Sequence, residues 1–151
     1  MAIKLGTVGH FGLAVRDPEA SAAWWIEKLN LHHQFDFTGG VAVGNDALTI
    51  ALFRGEPHPE TLDHLSFHLA SLHELQAALR ELRRKGVEME DPGDEIGPEG
   101  PGSPHVGLWL HDPDGYRWEL SVQNALRPAA ARPPAKRAAT AARSTAGRKR
   151  R

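Results

Sequence analysis

Cysteine is absent from this chain of 151 residues, so disulfides, thiolate metal ligands and a cysteine nucleophile are excluded. No apolar run is long enough to cross a bilayer. Met1 to Leu5 lack the apolar core of a signal peptide. We therefore expect a cytoplasmic protein that makes no membrane contact.

Acidic residues are missing from the end of the chain. All 19 Asp and Glu residues lie before residue 123 with 9 of the 18 basic residues, which gives the body a net charge near −10. The other 9 basic residues follow in a segment of Ala, Pro, Arg and Lys. An acidic body argues against nucleic acid as its main ligand. We predict a domain over residues 1–125 and a disordered basic tail over 126–151, able at most to make weak contacts with polyanions.

The first half of the domain contains the pattern of a strand, a helix and three strands. A strand over 9–15 alternates, with His10 on a face of small residues and large apolar side chains on the other face. Asp17 and Pro18 are typical of the N-cap and first position of a helix, which we expect to run to Leu29. Gly-rich hairpin signals then separate predicted strands at 32–37, 40–44 and 47–53.

The same pattern returns in the second half. A strand over 63–69 places His64 and His68 on one face, and Ser71 begins a capping box for a helix that ends near Lys85. Further strands are predicted at 87–89, 106–110 and 116–122, with a long acidic loop at 90–104. His10 and His64 hold matching positions 54 residues apart, which indicates an internal duplication.

The last predicted strand carries a carboxylate. Asp112-Pro113-Asp114-Gly115 has the composition of a tight turn, and the strand after it places Glu119 on its polar face. If the strands curve into one half-open barrel, Glu119 can meet His10 and His64. Two imidazoles and one carboxylate form a facial triad that binds a divalent metal and leaves positions open for substrate.

These stretches resemble the vicinal oxygen chelate superfamily, which includes glyoxalase I, extradiol dioxygenases, fosfomycin thiol transferases and bleomycin resistance proteins. The resemblance covers about residues 7–122. It rests on four stretches: Gly9-His10-Phe11-Gly12-Leu13-Ala14-Val15, Asp17-Pro18-Glu19-Ala20-Ser21, Asp63-His64-Leu65-Ser66-Phe67 and Asp112-Pro113-Asp114-Gly115-Tyr116-Arg117-Trp118-Glu119. It implies an α+β fold of two βαβββ units that form a half-open mixed β-barrel around a metal.

The resemblance also implies a ligand set and partners. The family's metal ligands fall on His10, His64 and Glu119, with Fe(II) the favoured metal and Mn, Ni or Zn as alternatives. It implies a homodimer that acts on a small molecule, with the site built within one chain or across two.

Several activities occur in the superfamily, and an extradiol-dioxygenase-like enzyme is the leading expectation. His68 and Tyr116 are the candidate catalytic residues, although the strand at 47–53 has no acid–base histidine. Glyoxalase I uses a carboxylate from that strand, and the inward candidates Thr49 and Ala51 supply none. The acidic loop at 90–104 would repel the phosphonate that a fosfomycin transferase binds. A protein that sequesters a drug or another small molecule, or a glyoxalase-type lyase, stays as the alternative.

Overall fold

The two helices begin and end at local sequence signals. In the computed structural model, which describes residues 2–126, the Asp17 carboxylate accepts hydrogen bonds from the backbone N–H groups of Glu19 and Ala20 at the start of the first helix. That helix ends at Asn30, which adopts the left-handed conformation with φ 56°. Ser71 caps the second helix by accepting from Glu74 N. Both predicted caps are confirmed.

Residues 2–126 form two helices, eight strands and one 3-10 turn at Pro59–Thr61. In chain order they are β1 His10–Val15, α1 Pro18–Leu29, β2 His32–Phe37, β3 Gly40–Gly44, β4 Thr49–Arg54, β5 Leu65–His68, α2 Leu72–Arg84, β6 Gly97–Pro98, β7 Val106–His111 and β8 Arg117–Val122.

The strands form two four-stranded mixed sheets with the same topology. Sheet A has the order β1-β4-β3-β2, and sheet B has the order β5-β8-β7-β6. In each sheet the first strand pairs in parallel with the last strand of its unit, and the other pairs are antiparallel. The predicted α+β class with two βαβββ units is confirmed. Within residues 2–126 the strands are hydrogen-bonded as two separate sheets.

Two details differ from the sequence prediction. The strand expected at 87–89 is reduced to a single bridge between Met89 and Leu110. The two-residue strand β6 lies inside the predicted loop and pairs with β7. Strands this short depend on their partner rather than on their own residues, so periodicity cannot identify them.

The apolar faces of the two sheets share one core. Phe11 of β1 packs against Phe67 of β5 and Trp118 of β8, with ring centroids 6.4 and 5.9 Å apart. Trp25 of α1 packs edge-on against Trp118 at 4.9 Å. Because strand side chains alternate, the opposite faces of both sheets point away from this core.

No helix among residues 2–126 is long and apolar enough to span a membrane. The tail predicted for residues 126–151 lies, beyond Leu126, outside the described residues.

Candidate metal centre

One face of sheet B collects the polar residues of the second unit. In β5 and β8, Ser66 pairs with Glu119 and His68 with Ser121. Directly paired residues on neighbouring strands point to the same side of a sheet. We call this side the B face; it carries His64, Ser66, His68, Gly107, Trp109, His111, Arg117, Glu119 and Ser121.

Glu119 is buried at the centre of the B face, with 1% of its surface exposed. Its Oε2 lies 3.7 Å from His64 Nε2, and its Oε1 has no hydrogen-bond partner among residues 2–126. Burial raises the pKa of Glu119 above its usual range, while the nearby Ser66 hydroxyl lowers it. A buried carboxylate oxygen without a partner is unfavourable, and a bound cation would satisfy it.

A glycine makes room for this carboxylate. A Cβ built on Gly107 of β7 would collide with Glu119 Oε1. Glu119 pairs with Trp109, and Gly107 pairs with Ser121. The Glu119 side chain therefore extends diagonally across the sheet to Gly107. Glycine within a strand often marks such a close approach, so Gly107 is a sequence signal for the position of Glu119.

His10 lies on sheet A, apart from the other two predicted ligands. It pairs with Thr49 and is exposed, on the side of β1 opposite to Phe11. Since Phe11 faces sheet B, His10 faces away from it. Among residues 2–126 no group of three or more His, Cys, Asp or Glu side chains is placed to hold a metal ion. The structure therefore brings His64 and Glu119 together and leaves His10 outside the group.

The two predicted catalytic residues differ in their surroundings. His68 is exposed on the B face, where its Nε2 lies 2.9 Å from the Gln123 side-chain nitrogen. Tyr116 is buried, donates its hydroxyl to Ala14 O at 2.9 Å and accepts from His58 N at 3.1 Å. With both hydrogen bonds made inside the fold, Tyr116 joins the last hairpin to the first unit. This placement favours a structural role over a catalytic one.

Glu99 is an acidic residue beside the site that the sequence pattern does not indicate. Gly97 of β6 pairs with Gly107, and Glu99 N donates to His105 O at 3.2 Å as the strand pairing continues. Glu99 therefore lies on the same side of sheet B as Glu119, and its negative charge further raises the pKa of Glu119. Pro98 made a strand at this position unexpected, because proline argues against a strand. It is tolerated here because β6 is an edge strand.

The donors on the B face suit a hard or borderline divalent cation. An imidazole nitrogen and a carboxylate oxygen face each other, the carboxylate has a free oxygen, and a glycine leaves space beside it. Two such ligands fit part of a facial triad, and the third position has to be filled from elsewhere. The paired βαβββ units place the protein in the class of folds built from two such units side by side.

Comparisons with known proteins agree with this class. A sequence model of the Glyoxalase/Bleomycin resistance protein/Dioxygenase superfamily matches residues 7–120, and the chain belongs to this superfamily. A search of curated proteins found no significant match.

Several solved structures share the fold. A glyoxalase/bleomycin resistance protein/dioxygenase from Nocardioides is 19% identical, with a TM-score of 0.64 and coverage of 81% of this chain and 86% of that chain. The fosfomycin resistance protein FosX from Listeria monocytogenes, complexed with Mn(II) and sulfate, is 21% identical, with a TM-score of 0.63 and coverage of 80% and 92%. Lactoylglutathione lyase from Agrobacterium tumefaciens is 13% identical, with a TM-score of 0.63 and coverage of 80% and 96%.

Proposed function

We propose that this protein is a divalent-metal-dependent enzyme that binds a small molecule through two neighbouring oxygens. The observation that carries this proposal is the buried Glu119 carboxylate, whose Oε1 has no partner among the described residues and whose Oε2 faces His64 Nε2. An unpaired buried carboxylate would be a net cost to the fold unless it served a ligand.

The third metal ligand in this proposal is His10 of a second copy of the chain. His10 is exposed on a sheet face that points away from its own Glu119, so it is free to meet the B face of another subunit. In a two-fold dimer each chain would donate His10 and receive the partner's His10, giving two equal sites. In this proposal the active form of the protein is therefore a homodimer.

The leading reaction is extradiol cleavage of a catechol-like ring. Bound Fe(II) would act as a Lewis acid and activate dioxygen, as two-histidine, one-carboxylate sites do. His68 lies on the B face beside Ser121 and would accept a substrate hydroxyl proton and return it later. The reaction consumes one dioxygen per ring and inserts both oxygen atoms into the product.

A second candidate reaction follows from Glu99. This carboxylate lies on the same side of sheet B as Glu119 and supplies a base that strand β4 lacks. A base beside a metal-bound substrate suits proton abstraction next to a carbonyl, the step that a glyoxalase-type lyase needs. In this case Glu99, and not His68, would be the essential acid–base residue.

The metal and the reaction are tested in order. We expect protein purified without added metal to contain a divalent metal, or to melt at a higher temperature when Fe(II), Mn, Ni or Zn is added. Glu119→Gln, which keeps the shape of the side chain, should lose this response. Protein without metal and without any thermal response would overturn the metalloenzyme.

Oxygen uptake then separates the reactions. After anaerobic loading with Fe(II), a panel of catechols should give oxygen uptake that is lost in His68→Gln and kept in Glu99→Gln. Conversion of a methylglyoxal hemithioacetal that is lost in Glu99→Gln would favour the lyase. Tight binding of ligands with no turnover by either route would identify a sequestration protein.

A further inference from the structure

The two ring nitrogens of His64 face different carboxylates. Its Nε2 points toward Glu119 Oε2 at 3.7 Å, and its Nδ1 lies 3.4 Å from Asp63 Oδ2. A metal-binding imidazole needs a bare nitrogen on the metal side, so its single proton must reside on the other nitrogen. Of the two carboxylate oxygens, only Asp63 Oδ2 lies within hydrogen-bond distance of the ring, so it favours the proton on Nδ1.

Asp63 is itself 80% exposed, so its side chain needs a further contact to stay in place. Arg117 provides one, with its Nη1 lying 3.9 Å from Asp63 Oδ1. At this distance and exposure the pair is weak, so it favours the position of the Asp63 carboxylate near His64 without fixing it.

Arg117 is fixed in turn by contacts on its other side. Its Nε and Nη2 donate to the two oxygens of Glu90 at 2.6 and 2.8 Å, and its guanidinium lies 5.3 Å from the Trp109 ring centroid. Hydrogen bonding from Arg117 lowers the pKa of Glu90 and keeps that carboxylate ionised. Bidentate pairing and stacking fix the plane of a guanidinium, which a lysine ammonium at this position would not do.

We propose that Asp63 and Arg117 are positioning residues for the metal ligand His64. Asp63 holds the proton on Nδ1, so that the Nε2 lone pair faces Glu119 and the metal, and Arg117, anchored by Glu90 and Trp109, holds Asp63 in reach. This inference rests on the proposed metal site and names residues that act through His64 rather than on the substrate.

The test measures the affinity for Mn(II) by calorimetry in the full chain and its variants. Asp63→Ala should weaken binding by about 10- to 100-fold, the usual effect of losing such a partner of a metal-binding histidine. Asp63→Asn should recover part of this loss because its amide oxygen still accepts the Nδ1 proton. Arg117→Lys should weaken binding in the same direction, by less than Asp63→Ala.

A matched control is available on sheet A. Asp36 Oδ1 lies 2.9 Å from Nε2 of the exposed His33, so Asp36→Ala removes an aspartate–histidine pair of the same kind away from the site. Its affinity for Mn(II) should equal that of the parent. Thermal melts of all variants show whether folding is preserved.

A second measurement needs no metal. Long-range ¹H–¹⁵N spectra of the metal-free protein at high pH report the tautomer of His64, which should be Nδ1–H in the parent and should lose this preference in Asp63→Ala. An unchanged tautomer overturns the inference, as does unchanged Mn(II) affinity in Asp63→Ala. If the parent binds none of Fe(II), Mn(II), Ni(II) and Zn(II), the proposed function fails, and the tautomer alone still decides the role of Asp63.

Discussion

At the residue scale, the centre of the site depends on a steric relation between two strands. The Glu119 carboxylate occupies the space that Gly107 leaves open in β7, and this space lets it stay buried beside His64. Glycine weakens strands, so β7 would be more stable with a larger residue at position 107 if that position served only the strand.

We predict that Gly107→Ala displaces the Glu119 carboxylate. The added Cβ would collide with Oε1, so the variant should lose about 1–3 kcal/mol of unfolding free energy through overpacking. It should also bind Mn(II) more weakly than the parent. Urea denaturation and calorimetry measure the two effects.

Gly97→Ala is the matched control for this change. Gly97 pairs with Gly107 in the next strand, and a Cβ built there meets nothing within 4 Å. Its stability and affinity should equal or exceed those of the parent. If the two alanine variants behave alike, the packing of Glu119 on Gly107 has no functional importance.

At the scale of elements, the hairpin from β7 to β8 decides where Glu119 lies. Asp112 Oδ1 accepts hydrogen bonds from the backbone of Asp114 and Tyr116 at 2.9 and 3.0 Å, and Gly115 takes the positive φ of 89° that the turn requires. Asp114 in turn accepts from the Arg16 guanidinium at 3.1 Å. The turn is thus attached to the first unit, and this fixes the register of β8.

The hairpin should also make stability depend on pH. Burial raises the pKa of Asp112 from 3.8 to about 6, and its Oδ2 has no partner among the described residues. The folded state therefore binds more protons than the unfolded state between about pH 4 and 6. The free energy of unfolding is therefore highest, as far as Asp112 is concerned, below pH 4. It falls as the pH rises through 6, by at most about 3 kcal/mol.

Asp112→Asn should remove this dependence. The difference in unfolding free energy between the variant and the parent should shift in favour of the variant between pH 4 and pH 8, as measured by urea denaturation. Asp46→Asn, a change at an exposed aspartate, should show a constant difference. A constant difference for Asp112→Asn as well would mean that Asp112 is ionised without cost.

Helix positions could be predicted at this scale, and some strands could not. The ends of α1 and α2 depend on caps such as Asp17 and Ser71, whose hydrogen bonds are local. Strand β6 and the bridge at Met89 exist only because β7 lies beside them. Their residues carry no periodic signal of their own.

At the scale of the whole molecule, the core separates the proposed ligands. Phe11, Phe67 and Trp118 bring the apolar faces of the two sheets together, so the faces that carry His10 and Glu119 point apart. The predicted convergence of the three side chains within one chain is not seen among the described residues. A site that contained all three side chains would therefore need two chains, as proposed above.

Mixing two defective variants tests this arrangement. Neither His10→Ala nor Glu119→Ala should bind Mn(II) alone. After unfolding and refolding together, a dimer with one chain of each kind has one complete site, so binding should return to about a quarter of all sites. A site built within single chains would give no recovery. Dimer formation is followed by light scattering.

The sequence by itself determined the two βαβββ units, the helix caps, the turn before β8 and the polar faces that carry His10, His64 and Glu119. These features follow from the alternation and turn chemistry of neighbouring residues, which are local. Only the tertiary structure decided which faces pack together, and this buries Glu119, occupies the Tyr116 hydroxyl and isolates His10. Packing depends on contacts between distant residues, which a strand pattern does not specify.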